Sequence, residues 1–500
     1  MRFYGGRRGS LRSRHTRREF LQAAGAGAVL LGVVGCKPPD WISTIASSGQ
    51  GGTTQSFRSR PDLRPPAVGV NVPAHDVAPG YVFVAVKKGE GQDGLMIMDD
   101  EGRLVWFSRD RYAADFKVQS YRGEPVLTWW QGGVVAGHGV GEYVIFDDSY
   151  REVARVRAGN GYKGDLHEFS ITPQDTALLT IYNEARADLS PIGGQSDGLV
   201  WEGIAQELDL ETGEVLFEWH SLDHVGVGES YRQLEKDPEG PVDYFHINSI
   251  EVEPDGNFLI DAKGTYAVYK VDRETGKVLW RLGGKKSDFE MGEGTRTALQ
   301  HDARRQKDGT ITIFDNGAGP PKVHEQSRGI VVDLDMDSMK ATLVKEYTHP
   351  AKPLSTSQGN MQVLPNGNVF IGWGTEHFTS EYSKEGELLF DLEFAGATQS
   401  YRAFRLPWSG RPAEDPAVAA RKGKGDKVRI YASWNGATGV ATWRVLAGSE
   451  PGRLEPVGSV PWEGFETAMA IRTEEPYVAV RAENDSGRIL GTSRAVRPAG

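Results

Sequence analysis

The chain has 500 residues, a net charge of −11, one cysteine, 62 glycines and 26 prolines. One cysteine excludes an internal disulfide framework, and an acidic chain lacks the basic surface that binding to nucleic acid requires. Abundant glycine and proline, with 10% aromatic residues, predict many short strands and turns and few helices.

The chain begins with the features of an export signal, so residues 1–35 are set aside from the fold. Arg17 and Arg18, followed by Glu19, Phe20 and Leu21, resemble the twin-arginine motif. The apolar stretch that follows, at 23–35, is too short to span a membrane permanently.

That stretch ends in Val33-Val34-Gly35-Cys36, which resembles a lipobox whose cysteine thiol receives a lipid. We therefore expect export by the twin-arginine route and anchoring to the cell membrane through Cys36, facing the periplasm or the cell exterior. Removal of residues 1–35, which hold seven Arg and one Glu, leaves a net charge of −17.

Composition also divides the rest of the chain. Residues 36–66 are rich in Ser, Gly, Thr, Gln and Pro, which predicts a flexible tether. Pro, Gly, Ala and Lys cluster without periodicity at 407–426, where we place a domain boundary. We therefore expect one folded domain over 67–410 and a second over 427–500.

A strand, an Asp-x-x-Thr-Gly turn and a second strand recur along the first domain. The segment at 208–217 matches the segment at 271–280 almost position for position, and weaker copies lie at 98–107, 145–156, 332–344 and 382–392. Six copies at this period predict a six-bladed β-propeller in which each copy is the outer hairpin of one blade. A β-sandwich would not explain why the strand–turn–strand segment recurs at a regular interval.

A second repeat is offset from the first. His167, His246, His301 and Asn360 each precede a turn and a further strand. In a propeller the strand that opens each blade lines the central channel, so we expect these side chains to converge at the channel mouth.

Three converging histidines leave several interpretations open. They could satisfy buried backbone groups between blades, bind a metal with Asp302 as an added ligand, or form a catalytic site. Their spacing has no metal signature, and we predict neither a metal nor a cofactor.

Four segments at 243–250, 277–284, 300–305 and 314–317 resemble the bacterial arylsulfotransferases, and most closely the arylsulfotransferase-like branch of actinobacteria and fungi. The resemblance extends from about residue 80 to 410. It implies a six-bladed propeller that moves a sulfuryl group from a small phenolic sulfate ester to a phenolic acceptor, without a nucleotide donor.

The resemblance also implies a role for individual residues. His301 would be the nucleophile that carries the sulfuryl group as a sulfohistidine. His246 and Asn248 would contact the sulfate oxygens, with His246 also shuttling a proton, and His167 would be the third histidine of the site. Lys263 stands where the family has an arginine, which keeps the charge but loses the planar fork.

Other assignments are less specific. Arg328 would add positive charge for substrate binding near the mouth, or form an ion pair within a blade. A non-catalytic ligand-binding or scaffold propeller at the cell surface is the alternative function. A quinone-cofactor dehydrogenase, suggested by Thr-Gly-x-x-x-Trp at 275–280, normally needs eight such units, and only one full copy occurs.

Residues 427–500 contain about seven short alternating stretches separated by Gly, Asn and Pro turns. With Trp443 as a core residue and a strand at 477–482, they resemble a small fibronectin type III-like β-sandwich. The region lacks clusters of catalytic residue types, so we expect a packing or adhesion module.

Overall fold

The structure is a computed structural model that describes residues 43–44, 52–110, 112–235 and 238–500. The export signal and Cys36 lie outside the described residues. Within them, helix is limited to Ser221–His224 and the 3-10 turns Ser190–Ile192 and Val227–Glu229, so the prediction of an all-β protein is confirmed. In the described part of the chain, no helix is long and apolar enough to cross a membrane.

Six mainly antiparallel sheets follow one another between residues 68 and 406, each with an inner strand first and an outer hairpin last. The strands are, for the first sheet, Ala113–Tyr121, Glu124–Val135, His138–Phe146 and Glu152–Val156; for the second, Phe169–Ile171, Thr176–Ala187, Gly198–Asp209, Val215–His220 and the parallel Val242–Asp243; for the third, Ile247–Val252, Phe258–Ala262, Ala267–Val271 and Val278–Gly283. For the fourth they are His301–Arg305, Ile311–Asp315, Arg328–Asp335, Lys340–Thr348 and the parallel Glu290–Met291; for the fifth, Asn360–Val363, Val369–Gly372, Phe378–Tyr382, Leu388–Phe394 and Val68–Val72; for the sixth, Gln399–Leu406, Tyr81–Lys87, Gly94–Met98 and Leu104–Arg109.

The six sheets form a closed ring. Successive inner strands, or the strands beside them, contact one another, and the inner strand of the sixth sheet contacts that of the first. Six apolar clusters of the described residues each join two neighbouring sheets, including the sixth and the first. Burial of apolar side chains between sheet faces therefore holds the ring together.

The repeated hairpins join the third and fourth strands of every sheet, and each contains one register shift at an equivalent place. In the two clearest copies, Oδ1 of Asp209 and of Asp272 accepts hydrogen bonds from the backbone and hydroxyl of the threonine three residues later. The glycine that follows has φ near +70°, a conformation that favours glycine. These contacts explain why the Asp-x-x-Thr-Gly pattern recurs.

The C-terminal region contains two four-stranded sheets around a core that includes Trp443. One sheet has Ala417–Lys422, Lys427–Ser433, Glu466–Arg472 and Ser43–Thr44, and the other has Arg453–Pro461, Thr442–Glu450, Tyr477–Glu483 and Ile489–Thr492. The first of these strands lies inside the predicted 407–426 linker, so the second folded region begins earlier than expected.

The two regions contact each other closely. Asn435 exchanges two hydrogen bonds of 2.9 Å with the backbone of Phe107 in the sixth sheet. Ser59, within the predicted tether, donates its backbone N–H to Glu466 at 2.6 Å, and Leu63 is buried. The later part of the predicted tether therefore packs on the folded body.

Candidate functional site

A cavity of about 660 Å³ opens where the inner strands begin, a size suited to a small organic ligand. Each of the six sheets contributes a side chain at or beside the start of its inner strand, namely Ala114, His167, His246, His301, Gln358 and Tyr401. The structure thus brings the three predicted histidines to one wall.

The three histidines are close neighbours. The ring centroids of His167 and His246 are 4.9 Å apart, and those of His246 and His301 are 6.4 Å apart. Tyr401 lies beside them, with its ring centroid 5.3 Å from that of His167 and 6.5 Å from that of His301. A sulfate-sized group in the cavity would therefore lie within reach of more than one ring.

Irregular inner strands aim these side chains into the cavity. The register shifts between Ile247 and Ser249 in the third sheet and between His301 and Arg304 in the fourth. His246 and Asp302 have φ of 56° and 58°, a conformation that is uncommon in residues other than glycine. Such bulges redirect side chains and are frequent beside functional sites.

The ring of His301 is held in one tautomer. Nδ1 donates to Oδ1 of Asn316 at 2.8 Å and lies 2.9 Å from the carbonyl oxygen of Leu299. The amide nitrogen of Asn316 donates to the carbonyl oxygens of Ser355 and Gln358, which fixes its oxygen toward the histidine. Nε2 therefore carries the lone pair, and it accepts a hydrogen bond from the backbone N–H of Gln358 at 3.1 Å.

The other two histidines are each held by an aspartate. Nδ1 of His246 hydrogen bonds to Asp243, and Nδ1 of His167 lies 2.5 Å from the buried carboxylate of Asp165. Burial acts to raise the pKa of Asp165, but the His167 imidazole and hydrogen bonds hold that pKa below its usual value. Neither aspartate was identified from the sequence.

Burial lowers the pKa of His246 and of His301 well below the usual value, and the nearby positive charge of Lys263 lowers both further. Burial also raises the pKa of Asp243. Both imidazoles are therefore neutral at pH 7, the form in which a ring nitrogen can act as a base or nucleophile.

Positive side chains give the cavity its electrostatic character. Four basic residues line it, against the acidic Asp93 and Asp243, namely Lys87, Lys88, Arg232 and Lys263. Within the described residues the ammonium group of Lys263 makes no hydrogen bond; burial lowers its pKa, and the charge of Asp243 partly offsets that effect. Burial also lowers the pKa of Lys87 to about 8. Such a surface suits an anionic ligand.

Aromatic rings form much of the remaining wall. The rings of Tyr231 and Tyr266 stack with centroids 4.2 Å apart, and Trp130 and Tyr112 also line the cavity. Apolar walls with a few converging polar groups are typical of small-molecule sites.

Two residues predicted to bind substrate do not line this cavity. Asn248 is fully buried and bonds the backbone of Gln300 and Asp302, on either side of His301. Arg328 is also buried, and its guanidinium bonds Asp315 at 3.0 Å and Glu346 at 2.8 Å. Asn248 thus positions the His301 strand, and Arg328 forms the ion pair within its sheet that was the alternative.

A network of buried charges accompanies the site. Glu168, directly after His167, contacts three cationic side chains, those of Lys117, Arg304 and Arg402. Arg402 also lies 3.1 Å from Asp115 and 3.2 Å from Asp302. These residues come from the first, second, fourth and sixth sheets, so the network ties opposite sides of the ring together.

His138 is a fourth histidine of the cluster that sequence analysis missed. Its ring centroid is 5.5 Å from that of His246 and 3.9 Å from that of Tyr182. It lies at the start of the third strand of the first sheet, outside the inner-strand repeat that identified the others. Only the three-dimensional pairing of a long hairpin brings it here.

No curated protein matches this chain. Among solved structures it is similar to a protein of unknown function from Bacteroides caccae, at 12% identity over 65% of this chain and 98% of that one, with a TM-score of 0.39. It is also similar to a streptogramin B lyase, at 9% identity over 73% and 94% of the two chains, with a TM-score of 0.34. A calcium-binding protein, regucalcin from Agrobacterium tumefaciens, matches at 14% identity over 65% and 83%, with a TM-score of 0.32.

Similarity this distant carries no argument about function. The family comparison is more specific, because the arylsulfotransferase (ASST) family model matches residues 117–395, more than half of the chain. That match spans all three predicted histidines, Asn316 and Gln358. The chain belongs to the arylsulfotransferase family.

Proposed function

We propose that this protein is an extracytoplasmic sulfotransferase that moves a sulfuryl group from a phenolic sulfate ester to a phenolic acceptor, with His301 as the nucleophile. The observation that carries the proposal is the fixed tautomer of His301, which directs an unprotonated Nε2 to a cavity lined by four basic side chains. Membership of the arylsulfotransferase family supports the same reaction class.

In the first half of the reaction, Nε2 of His301 forms a bond to sulfur. The bond from sulfur to the phenolic oxygen breaks, and that oxygen leaves with the electron pair. Nδ1 keeps its proton, which stays hydrogen-bonded to the oxygens of Asn316 and Leu299. The ring therefore becomes a sulfonated imidazolium. The N–H of Gln358 turns from Nε2 to a sulfuryl oxygen as the new bond forms.

In the second half, the oxygen of the acceptor phenol attacks sulfur, and the electron pair of the sulfur–nitrogen bond returns to Nε2. Nε2 of His246 accepts the phenol proton, with Asp243 holding the ring through Nδ1. The next departing phenolate takes that proton back. Transfer between two phenols is therefore balanced without an added cofactor.

The remaining residues position and stabilise the reacting groups. Sulfuryl transfer resembles phosphoryl transfer in needing mainly alignment and charge stabilisation. The ammonium of Lys263 stabilises the negative charge on the sulfuryl oxygens and on the departing phenolate. The aromatic side chains of the wall, such as Tyr231 and Trp130, pack against the phenyl ring. Burial withdraws this ammonium from water, as its lowered pKa indicates. Its charge therefore stabilises the transition state more strongly here than it would in water.

One observation favours a non-catalytic binding protein as the second candidate. The N–H of Gln358 occupies the lone pair of His301 that the reaction requires. In that case the basic cavity would bind an aromatic anion without forming a covalent bond.

The purified protein, incubated with para-nitrophenyl sulfate and a phenol acceptor, tests both candidates. We expect release of para-nitrophenol, ping-pong kinetics and a sulfonated His301 peptide detectable by mass spectrometry. His301→Ala should abolish release, whereas His75→Ala, at an exposed histidine outside the cavity, should not. Binding of aryl sulfates without turnover or adduct, across a panel of donors, would favour the binding protein.

We also propose a finer architecture. The closed ring of six sheets supports a six-bladed β-propeller over 67–410. The strand orders of the two C-terminal sheets support a fibronectin type III-like sandwich. A crystal structure with another number of blades, or with two C-terminal sheets that do not pack face to face, would contradict these assignments.

The predicted cellular location remains a proposal. Export by the twin-arginine route predicts that replacing Arg17 and Arg18 with lysine keeps the precursor inside the cell. Lipid anchoring predicts that Cys36→Ala removes radiolabelled palmitate from the mature protein. Palmitate incorporation that persists in this variant would contradict the anchor.

A further inference from the structure

His138 has no hydrogen-bond partner for either ring nitrogen among the described residues, although only 2% of its surface is exposed. Its ring stacks on Tyr182 at 3.9 Å, so packing accounts for its orientation but not for its polar atoms. Oδ1 of Asp243, nearby, is also buried without a partner. Leaving buried polar groups unpaired is costly, and such groups frequently indicate an ion or water between them.

The unpaired groups converge with His246. One ligand atom from each of His138, Asp243 and His246 lies within 4.8 Å of the other two. Nε2 of His138 is 3.6 Å from Oδ2 of Asp243, which is too long for a hydrogen bond. Two ligands bound tetrahedrally to Zn²⁺ at about 2.05 Å lie roughly 3.3 Å apart, so this gap is close to that of ligands around one ion.

Separate parts of the fold build the cluster. His138 is on a hairpin of the first sheet, and Asp243 is on a short strand at the edge of the second. His246 directly precedes the third sheet. Two imidazoles and one carboxylate are the donor set of many catalytic zinc sites, in which the fourth position stays open. Asp243 and His246 also line the cavity, so an ion held here is accessible to a ligand.

We propose that His138, Asp243 and His246 form a binding site for a divalent transition-metal ion such as Zn²⁺. The hydrogen bond between His246 and Asp243 opens when the ion takes its place. The positive charge of Lys263 acts on both Asp243 and His246 and opposes the ion, so it limits the affinity. The inference needs only these three side chains; because a bound ion engages the His246–Asp243 pair that the proposed transfer uses as its base, we expect the ion-loaded protein to transfer more slowly than the metal-stripped one.

Titration of the metal-stripped, full-length protein with Co²⁺ tests the site, because tetrahedral Co²⁺ has visible absorption bands that report its ligands. We expect one Co²⁺ per chain, displaced by one Zn²⁺. His138→Phe keeps the stacking on Tyr182 but removes both ring nitrogens, so it should lose the bands. Asp243→Asn should weaken binding by at least about tenfold.

Two controls separate this inference from the proposed function. His75→Ala, at an exposed histidine, should bind Co²⁺ as the parent protein does. His301→Ala should lose sulfuryl transfer and keep the Co²⁺ bands. Absence of stoichiometric binding to the parent protein, or equal binding by His138→Phe, would overturn the metal site and leave the sulfotransferase proposal standing.

Discussion

The side-chain oxygen of Asn316 accepts a hydrogen bond from Nδ1 of His301 at 2.8 Å, and this contact determines which ring nitrogen carries the lone pair. The amide of Asn316 is fixed in this orientation, because its nitrogen donates hydrogen bonds to two carbonyl oxygens, those of Ser355 and Gln358, just before the inner strand of the fifth sheet. A neutral amide accepts a hydrogen bond from Nδ1–H. It stabilises a charged imidazolium less than a carboxylate in the same place would. Burial therefore keeps the ring neutral, and the Asn316 contact leaves the lone pair on Nε2.

Replacing this amide by a carboxylate should shift the pH dependence of turnover. In Asn316→Asp the new charge favours the imidazolium and raises the pKa of His301, so the acidic limb of the kcat profile moves to higher pH. We expect the loss of rate to be larger at pH 6 than at pH 8. Asn366→Asp, in an exposed turn, should leave the profile unchanged. An unshifted limb in Asn316→Asp would contradict the assigned role.

The charge of Lys263 should matter more than its shape. Lys263→Met should lower kcat/KM for aryl sulfates by about 100-fold, the effect of removing one donor to a developing oxyanion. Lys263→Arg should keep most activity because the charge remains. Steady-state kinetics with para-nitrophenyl sulfate provide the measurement, and Lys307→Met, at an exposed lysine, is the control. Parental activity in Lys263→Met would remove this residue from the mechanism.

The buried charge network should be essential for stability. Glu168→Gln leaves the charges of Lys117, Arg304 and Arg402 without their shared carboxylate. Breaking a buried ion pair from one side typically costs about 3 kcal/mol or more. We expect a lower urea midpoint, whereas the exposed Glu211→Gln should unfold like the parent protein. Equal midpoints would show that the network contributes little.

Asp261 should make the fold less stable as pH rises. Burial raises the pKa of this carboxyl to about 7, and one of its oxygens has no partner among the described residues. Between pH 4 and 7 the folded state therefore binds the proton that the unfolded state has released, so stability falls through this window and stays low above it. Asp261→Asn should reduce the fall in Tm between pH 5 and pH 8, measured calorimetrically. A parallel fall in both proteins would contradict it.

Much of the fold is readable in the sequence because its local contacts repeat. The two Asp-x-x-Thr-Gly segments form their own turns, at Asp209 and Asp272, and the four weaker copies also lie in outer hairpins of their sheets. The inner-strand repeat likewise predicted that His167, His246 and His301 would meet, because equivalent positions in a ring of sheets face one axis. Sequence periodicity is enough to predict that residues meet when those residues occupy equivalent positions in successive repeats.

Residues outside the periodic pattern were missed, or were predicted at the cavity and lie away from its wall. His138 reaches the site from a long hairpin, and no repeat marks its position. Asn248 and Arg328 are polar residues near the right strands, but their side chains point to backbone and carboxylate partners in the interior. Side-chain direction at a bulge depends on the register of the partner strand, which the sequence of one strand does not contain.

The sixth sheet pairs Gln399–Leu406 with Tyr81–Lys87, so the two ends of the ring region share one set of backbone hydrogen bonds. While the chain is being synthesised, the earlier strand has no inner partner until the last one emerges. Tyr401, on that last strand, is also part of the cavity wall. No shorter nascent product can therefore contain a complete cavity, so any ligand that requires the whole cavity would bind only after the ring has closed.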